Sequence, residues 1–229
     1  MKRIILVLVV LGALLALIAP ASAQQSFLGK VGFSLKGGLV IPSGGELPTP
    51  TGTATVGNQF KTGPTFGAEV KFGVLDKVNL VGGFNYGFMK AEDTFRTLTT
   101  TPAFTMPQLS AGVNLNVGPF LGPTNKLVNP YAGVGVGLYP WKKTIDGAGG
   151  EPDSVNSGTG SSKPVKKTSF GLNGTAGLEI MPGGTLGIFA EGKYHFLFAK
   201  DTDAFGNTVE NLRFLQIGAG LTYYFSLKP

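Results

Sequence analysis

Past residue 28 the chain is written in twos. Apolar side chains alternate with glycine or polar side chains over eight long runs, at about 29–41, 64–74, 78–90, 106–118, 128–140, 168–180, 185–199 and 211–226. A period of two sends successive side chains to opposite faces of an extended strand. In the first run Val31, Phe33, Leu35, Leu39 and Ile41 share one face, while Gly32, Ser34, Lys36 and Gly38 share the other. In the last, Leu215, Ile217, Ala219, Leu221, Tyr223 and Phe225 oppose Gln216, Gly218, Gly220, Thr222 and Tyr224. Each run reaches the roughly 9–11 residues with which a tilted strand crosses a bilayer.

The two faces differ in a way that assigns their surroundings. The apolar face carries no charge, and the opposite face carries six: Lys36, Glu69, Lys71, Glu179, Glu191 and Lys193. A soluble barrel turns its polar face to water, and such a surface is about 25–35% charged. This chain is only 14% charged and holds 36 glycines. A glycine-rich face with six charges makes a poor aqueous exterior and a good crowded interior. A charge-free band is what lipid requires, because a Lys or Arg at mid-bilayer costs about 2–4 kcal/mol on a barrel's outer face. The fold expected is all-β: an eight-stranded antiparallel up-and-down transmembrane β-barrel.

The N-terminus sets the compartment. Lys2 and Arg3 precede an apolar stretch from Ile4 to Ala19, followed by Pro20-Ala21-Ser22-Ala23. A basic start, a short apolar core and an Ala-x-Ala exit form a secretory signal. Residues 1–23 are therefore expected to be a removed signal peptide and 24–229 the barrel. Loss of Lys2 and Arg3 lowers the formal charge from +6 to +4. Such a mild basic excess suits an anionic membrane surface, and an exported chain is not expected to meet nucleic acid. The absence of cysteine excludes disulfides, zinc–thiolate sites and a cysteine nucleophile.

The gaps between runs alternate in length: 42–63, 75–77, 91–105, 119–127, 141–167, 181–184 and 200–210. Long extracellular loops and short periplasmic turns are the habit of membrane barrels. The pattern predicts both termini in the periplasm, with 119–127 longer than a tight turn needs. On that orientation Phe66, Tyr86, Phe88, Phe170, Phe196 and Phe198 gather near the outer rim. Phe33, Phe72, Tyr223 and Phe225 gather near the periplasmic rim, giving two aromatic girdles.

The signal, the eight alternating runs and the closing Gly218-Ala219-Gly220-Leu221-Thr222-Tyr223-Tyr224-Phe225 resemble the OmpA/OmpX-type outer-membrane β-barrel superfamily. The resemblance covers residues 24–229 and rests on pattern. It implies a bacterial outer-membrane protein inserted by the barrel-assembly machinery, which reads an aromatic near the end of the last strand. Tyr223 and Phe225 occupy that position, followed by Ser226-Leu227-Lys228-Pro229. No peptidoglycan-binding module follows the barrel, so wall anchoring is not expected.

Chemistry-bearing residues are few. Lys36, Glu69, Lys71, Glu179, Glu191 and Lys193 are expected in the lumen, as a salt-bridge network filling a narrow barrel or as the gate of an ion path. His195, the sole histidine, also points to the lumen and has no serine beside it on its strand, so an acyl-transfer triad is not expected. Asp201-Thr202-Asp203-Ala204-Phe205-Gly206-Asn207 echoes a calcium loop, but Phe205 and Leu212 stand where ligands are required. Gly133-x-Gly135-x-Gly137 lies within a strand and reads as small lumen residues, not as a nucleotide motif. Lys142, Lys143, Lys163, Lys166 and Lys167 sit at the ends of the longest loop, at the height of lipopolysaccharide phosphates. The function expected is a monomeric, non-enzymatic structural and surface-interaction scaffold with no cofactor, its partners being outer-membrane lipid and lipopolysaccharide. The alternative is a narrow porin for ions or small solutes.

Overall fold

The computed structural model describes residues 26–49, 52–92, 100–117, 128–147, 165–182, 184–202 and 208–227. The expected signal peptide lies outside them, as do Lys163 and the turn expected at 119–127, except that its neighbour Val117 is described. The strands are β1 (Lys30–Thr49), β2 (Gly52–Thr55), β3 (Gly63–Leu75), β4 (Val78–Lys90), β5 (Thr100–Asn116), β6 (Val128–Gly147), β7 (Val165–Ile180), β8 (Leu186–Thr202) and β9 (Thr208–Ser226). One helical turn, α1 (Val56–Gln59), follows β2.

β1 and β3 to β9 pair in chain order, all antiparallel, and β1 closes onto β9 from Lys30↔Ser226 to Glu46↔Glu210. The result is a closed eight-stranded barrel, with β2 as a short hairpin partner of β1 outside the ring. Closure leaves the ring without a free edge, so backbone groups are satisfied between strands, as a bilayer demands.

The phase of all eight runs is as the alternation sets it. Phe33, Leu35, Val70, Leu80, Phe84, Leu109, Val134, Phe170, Leu172, Ile188 and Leu221 are exposed on the outer face. Ser34, Glu69, Asn85, Gln108, Ser169, His195 and Thr222 are buried on the inner one. Outward aromatics meet in pairs: Phe66 stacks on Tyr86 at 5.4 Å between centroids, and Phe170 on Phe198 at 6.2 Å.

The strands outrun the alternation at the long-loop end, which corrects several boundaries. β1 continues to Thr49 and pairs with β2, which α1 follows, so most of the described residues between 42 and 63 are strand or helix. A bulge between Pro42 and Glu46 re-aims the strand there. Gly45 sits in it at φ +90°, and a Cβ would lie 2.6 Å from the Asn211 carbonyl oxygen, so only glycine fits. β5 begins at Thr100, and β6 and β7 pair as far as Lys143↔Val165.

The β5–β6 ladder is interrupted without a change of register. β5 and β6 keep a single register through Thr105↔Lys142 and Leu109↔Leu138, but the positions between do not pair. Within that register Pro107 falls directly opposite Pro140. A hydrogen-bonded antiparallel pair exchanges two N–H···O bonds, and two prolines supply neither donor.

Candidate functional site

The lumen is filled in layers. At the short-turn end, Phe27 packs edge-on against Tyr224 at 5.6 Å, beside Met181. Above them Asn129 Nδ2 donates to Asn116 Oδ1 at 3.0 Å, and Asn79 Nδ2 reaches the same oxygen at 3.5 Å.

All six charges named from the sequence meet in the next layer. Strand parity carries them there: Lys36 from β1, Glu69 and Lys71 from β3, Glu179 from β7, and Glu191 and Lys193 from β8. Lys36 Nζ donates to Glu69 Oε1 at 2.5 Å and to Glu191 Oε1 at 2.6 Å. Lys193 Nζ donates to the same Glu69 oxygen at 2.8 Å. Lys71 Nζ donates to Glu179 Oε1 and to Thr222 Oγ1, each at 3.3 Å, and lies 4.6 Å from the Phe189 ring centre. Tyr131 and Tyr224 donate their hydroxyls to Glu191 Oε2 at 3.0 Å and Glu179 Oε2 at 2.8 Å. Three lysines thus balance three glutamates, and none of the six is more than 9% exposed. In a low-dielectric interior this balance matters, because an unpaired charge is penalised by several kcal/mol.

Glycines make the room. A Cβ on Gly177 would lie 2.4 Å from the Tyr131 ring carbon that carries the hydroxyl. Gly133, Gly135 and Gly137 likewise lie inside β6, against the side chains of Asn114, Asn173 and Tyr139.

His195 lies one step beyond the charges, held on both ring nitrogens. Gln216 Nε2 donates to Thr65 Oγ1 at 2.7 Å, which leaves its Oε1 to accept from His195 Nε2–H at 3.0 Å. Tyr139 Oη then donates to Nδ1 at 3.0 Å and accepts from Asn173 Nδ2 at 3.4 Å. Each nitrogen has a structural partner, and neither partner is a serine or an acid.

The upper lumen is where the sequence reading fell short. Val40, Val56, Phe60, Met89, Phe104, Met106, Tyr139, Trp141, Leu197, Ala199, Leu212 and Phe214 form one buried apolar cluster. Phe104 is its centre, with Phe60, Phe214 and Trp141 at 5.5, 5.6 and 5.9 Å between centroids. Trp141 Nε1 is satisfied by Ser169 Oγ at 3.0 Å. α1 contributes Val56, and Phe60 follows it, so the first excursion folds over the barrel mouth. The signal was present: inward positions turn apolar along β1 after Lys36, along β8 after His195 and along β9 before Gln216.

The lysines placed at loop ends stand on strands instead. Lys142 and Lys143 belong to β6, and Lys166 and Lys167 to β7, because cross-strand pairing persists beyond the aromatic girdle. Lys142 and Lys166 occupy directly opposed register positions. Of the acidic turn, Asp201 and Thr202 belong to β8, and 203–207 lie outside the described residues. Tyr223 and Phe225 face outward from β9, 57% and 45% exposed, opposite Phe33 and Val31.

A closed antiparallel barrel with an apolar band of exposed side chains and a filled polar centre defines an integral outer-membrane β-barrel protein. The chain belongs to the outer membrane protein beta-barrel domain family, whose model matches residues 9–225. Solved structures share the fold at low identity. Neisserial surface protein A aligns with a TM-score of 0.52 and 17% identity over 86% of this chain and 97% of that one. Ail, the attachment invasion locus protein of Yersinia pestis, in complex with the heparin analogue sucrose octasulfate, aligns at 0.51 and 16% over 86% and 99%. No curated protein sequence matches the chain significantly.

Proposed function

We propose that the protein is a non-conducting, non-enzymatic scaffold of the bacterial outer membrane, presenting its long-loop end to the exterior. One observation carries this reading: the lumen is closed at mid-height by a neutral ion network and above it by an apolar cluster. The cavity beside Glu69, Ser110, Asn114, Glu191 and Lys193 measures about 10 Å³, room for about one water molecule. The six charges act as internal fastening. A gate would need a continuous wet path, and the apolar cluster opposes one.

Residues 1–23 serve as the removed export signal, the termini lie in the periplasm, and the assembly machinery reads Tyr223 and Phe225. Lys142, Lys143, Lys163, Lys166 and Lys167 meet the phosphates of lipopolysaccharide. The polysulfated ligand of Ail suits the same idea, since a lysine-rich rim on this fold offers a polyanion its counter-charge.

Planar-bilayer recording of refolded residues 24–229 tests the scaffold reading, with silence expected at every voltage the bilayer tolerates. Discrete openings that vanish in Glu69→Gln and Glu191→Gln would establish the narrow porin in its place.

A further inference from the structure

The break between β5 and β6 has a ligand-shaped setting. Outside it lies a hollow of about 510 Å³, within the range of about 300–1,000 Å³ usual for small-molecule sites. Tyr86, Pro107, Pro140, Trp141, Lys142 and Lys167 contribute to its wall. Trp141 is the informative member. It has inward phase and is only 2% exposed, packed against Phe104 in the lumen cluster, yet it borders a hollow on the outer face. At the β5–β6 break a residue of the apolar lumen cluster thus also borders the outer-face hollow.

The rim of the hollow is cationic. Lys142 stands two residues beyond Pro140 along β6, a rise of about 6.7 Å along the strand. Its register partners are Thr105 on β5 and Lys166 on β7, and Lys167, the next residue of β7, also contributes to the wall. An apolar notch with Lys142 and Lys167 in its wall matches a phosphorylated lipid, chain against the prolines and phosphate on the lysines.

We propose that the Pro107–Pro140 notch seats an acyl chain of a phosphorylated outer-leaflet lipid whose phosphate rests on Lys142 and Lys167. This deepens the proposed contact with lipopolysaccharide, and it rests on that reading for the orientation of the barrel.

Trp141 is the only tryptophan, which makes the test direct. The barrel is refolded into phosphatidylcholine vesicles containing a small fraction of phosphatidic acid with brominated chains, and tryptophan emission is followed. Quenching is expected at about fivefold that given by brominated phosphatidylcholine at the same fraction. Lys142→Ala with Lys167→Ala should abolish the excess, and unbrominated lipid A should compete it away. Pro107→Val with Pro140→Val, which restores both ladder donors, should also remove it. Arg213→Ala, an exposed cation on β9, should leave it unchanged. Heat-modifiable gel mobility shows that each variant is folded.

Equal quenching by both brominated lipids, or none, would overturn the notch. If the lysine variants abolish the excess but the proline variants do not, the rim contact stands and the notch falls. If Arg213→Ala matches the lysine variants, general surface charge explains the binding and the site is refuted. Failure of lipid A to compete would remove the outer-leaflet lipid as occupant.

Discussion

Glu69 is the residue on which the lumen turns, because two lysines share one of its oxygens. Removing its charge leaves Lys36 with Glu191 alone and takes away the carboxylate to which Lys193 donates. Breaking a buried pair by removing one partner costs about 3–5 kcal/mol. Glu69→Gln should therefore lower unfolding stability in lipid vesicles by about 3 kcal/mol, measured by denaturant titration. The opposite sign is expected at Gln108. Its amide and that of its register partner Asn85 are buried and make no hydrogen bond among the described residues. Gln108→Met keeps the shape and removes an unmet polar group, so stability should rise by about 1 kcal/mol. At Gly177 the space for a Cβ is already filled by Tyr131. Gly177→Ala should displace that ring, break its bond to Glu191 and destabilise by about 1–3 kcal/mol, the penalty of overpacking.

At the scale of the element, legibility followed the solvent. Within the bilayer each strand must alternate, because lipid tolerates no charge and the lumen has little space. That double constraint made the phases of β1 and β3 to β9 readable from residues such as Phe33, Ser34, Leu35 and Lys36. It also named the six charges, although sequence could not choose their partners across the barrel. Beyond the girdle the constraint lapses. Lys142 and Lys143 in β6 look like loop, and pairing with both β5 and β7 keeps them in a strand. Val56 and Phe60 looked like loop residues as well, since their partners come from β1, β4, β5 and β9. Phe60→Ala should open a void in the upper cluster and destabilise by about 3 kcal/mol. Limited proteolysis should then cut the excursion formed by β2 and α1 before the barrel strands.

At the scale of the whole molecule, closure joins β1 to β9 over nearly the full length of both strands. Among the lumen ion pairs of the described residues, three link early strands to late ones: Lys36 with Glu191, Glu69 with Lys193, and Lys71 with Glu179. Only Lys36 with Glu69 joins neighbours. The order of events during membrane insertion follows from this. Of the six lumen charges, a sheet holding β1 and β3 alone carries two lysines and one glutamate, and β7 with β8 carries the complementary surplus. Either half, spread open in lipid, would strand a net charge there. The barrel therefore completes its polar centre only as its ends meet, so ring closure and entry into the hydrocarbon are coupled steps of one late transition.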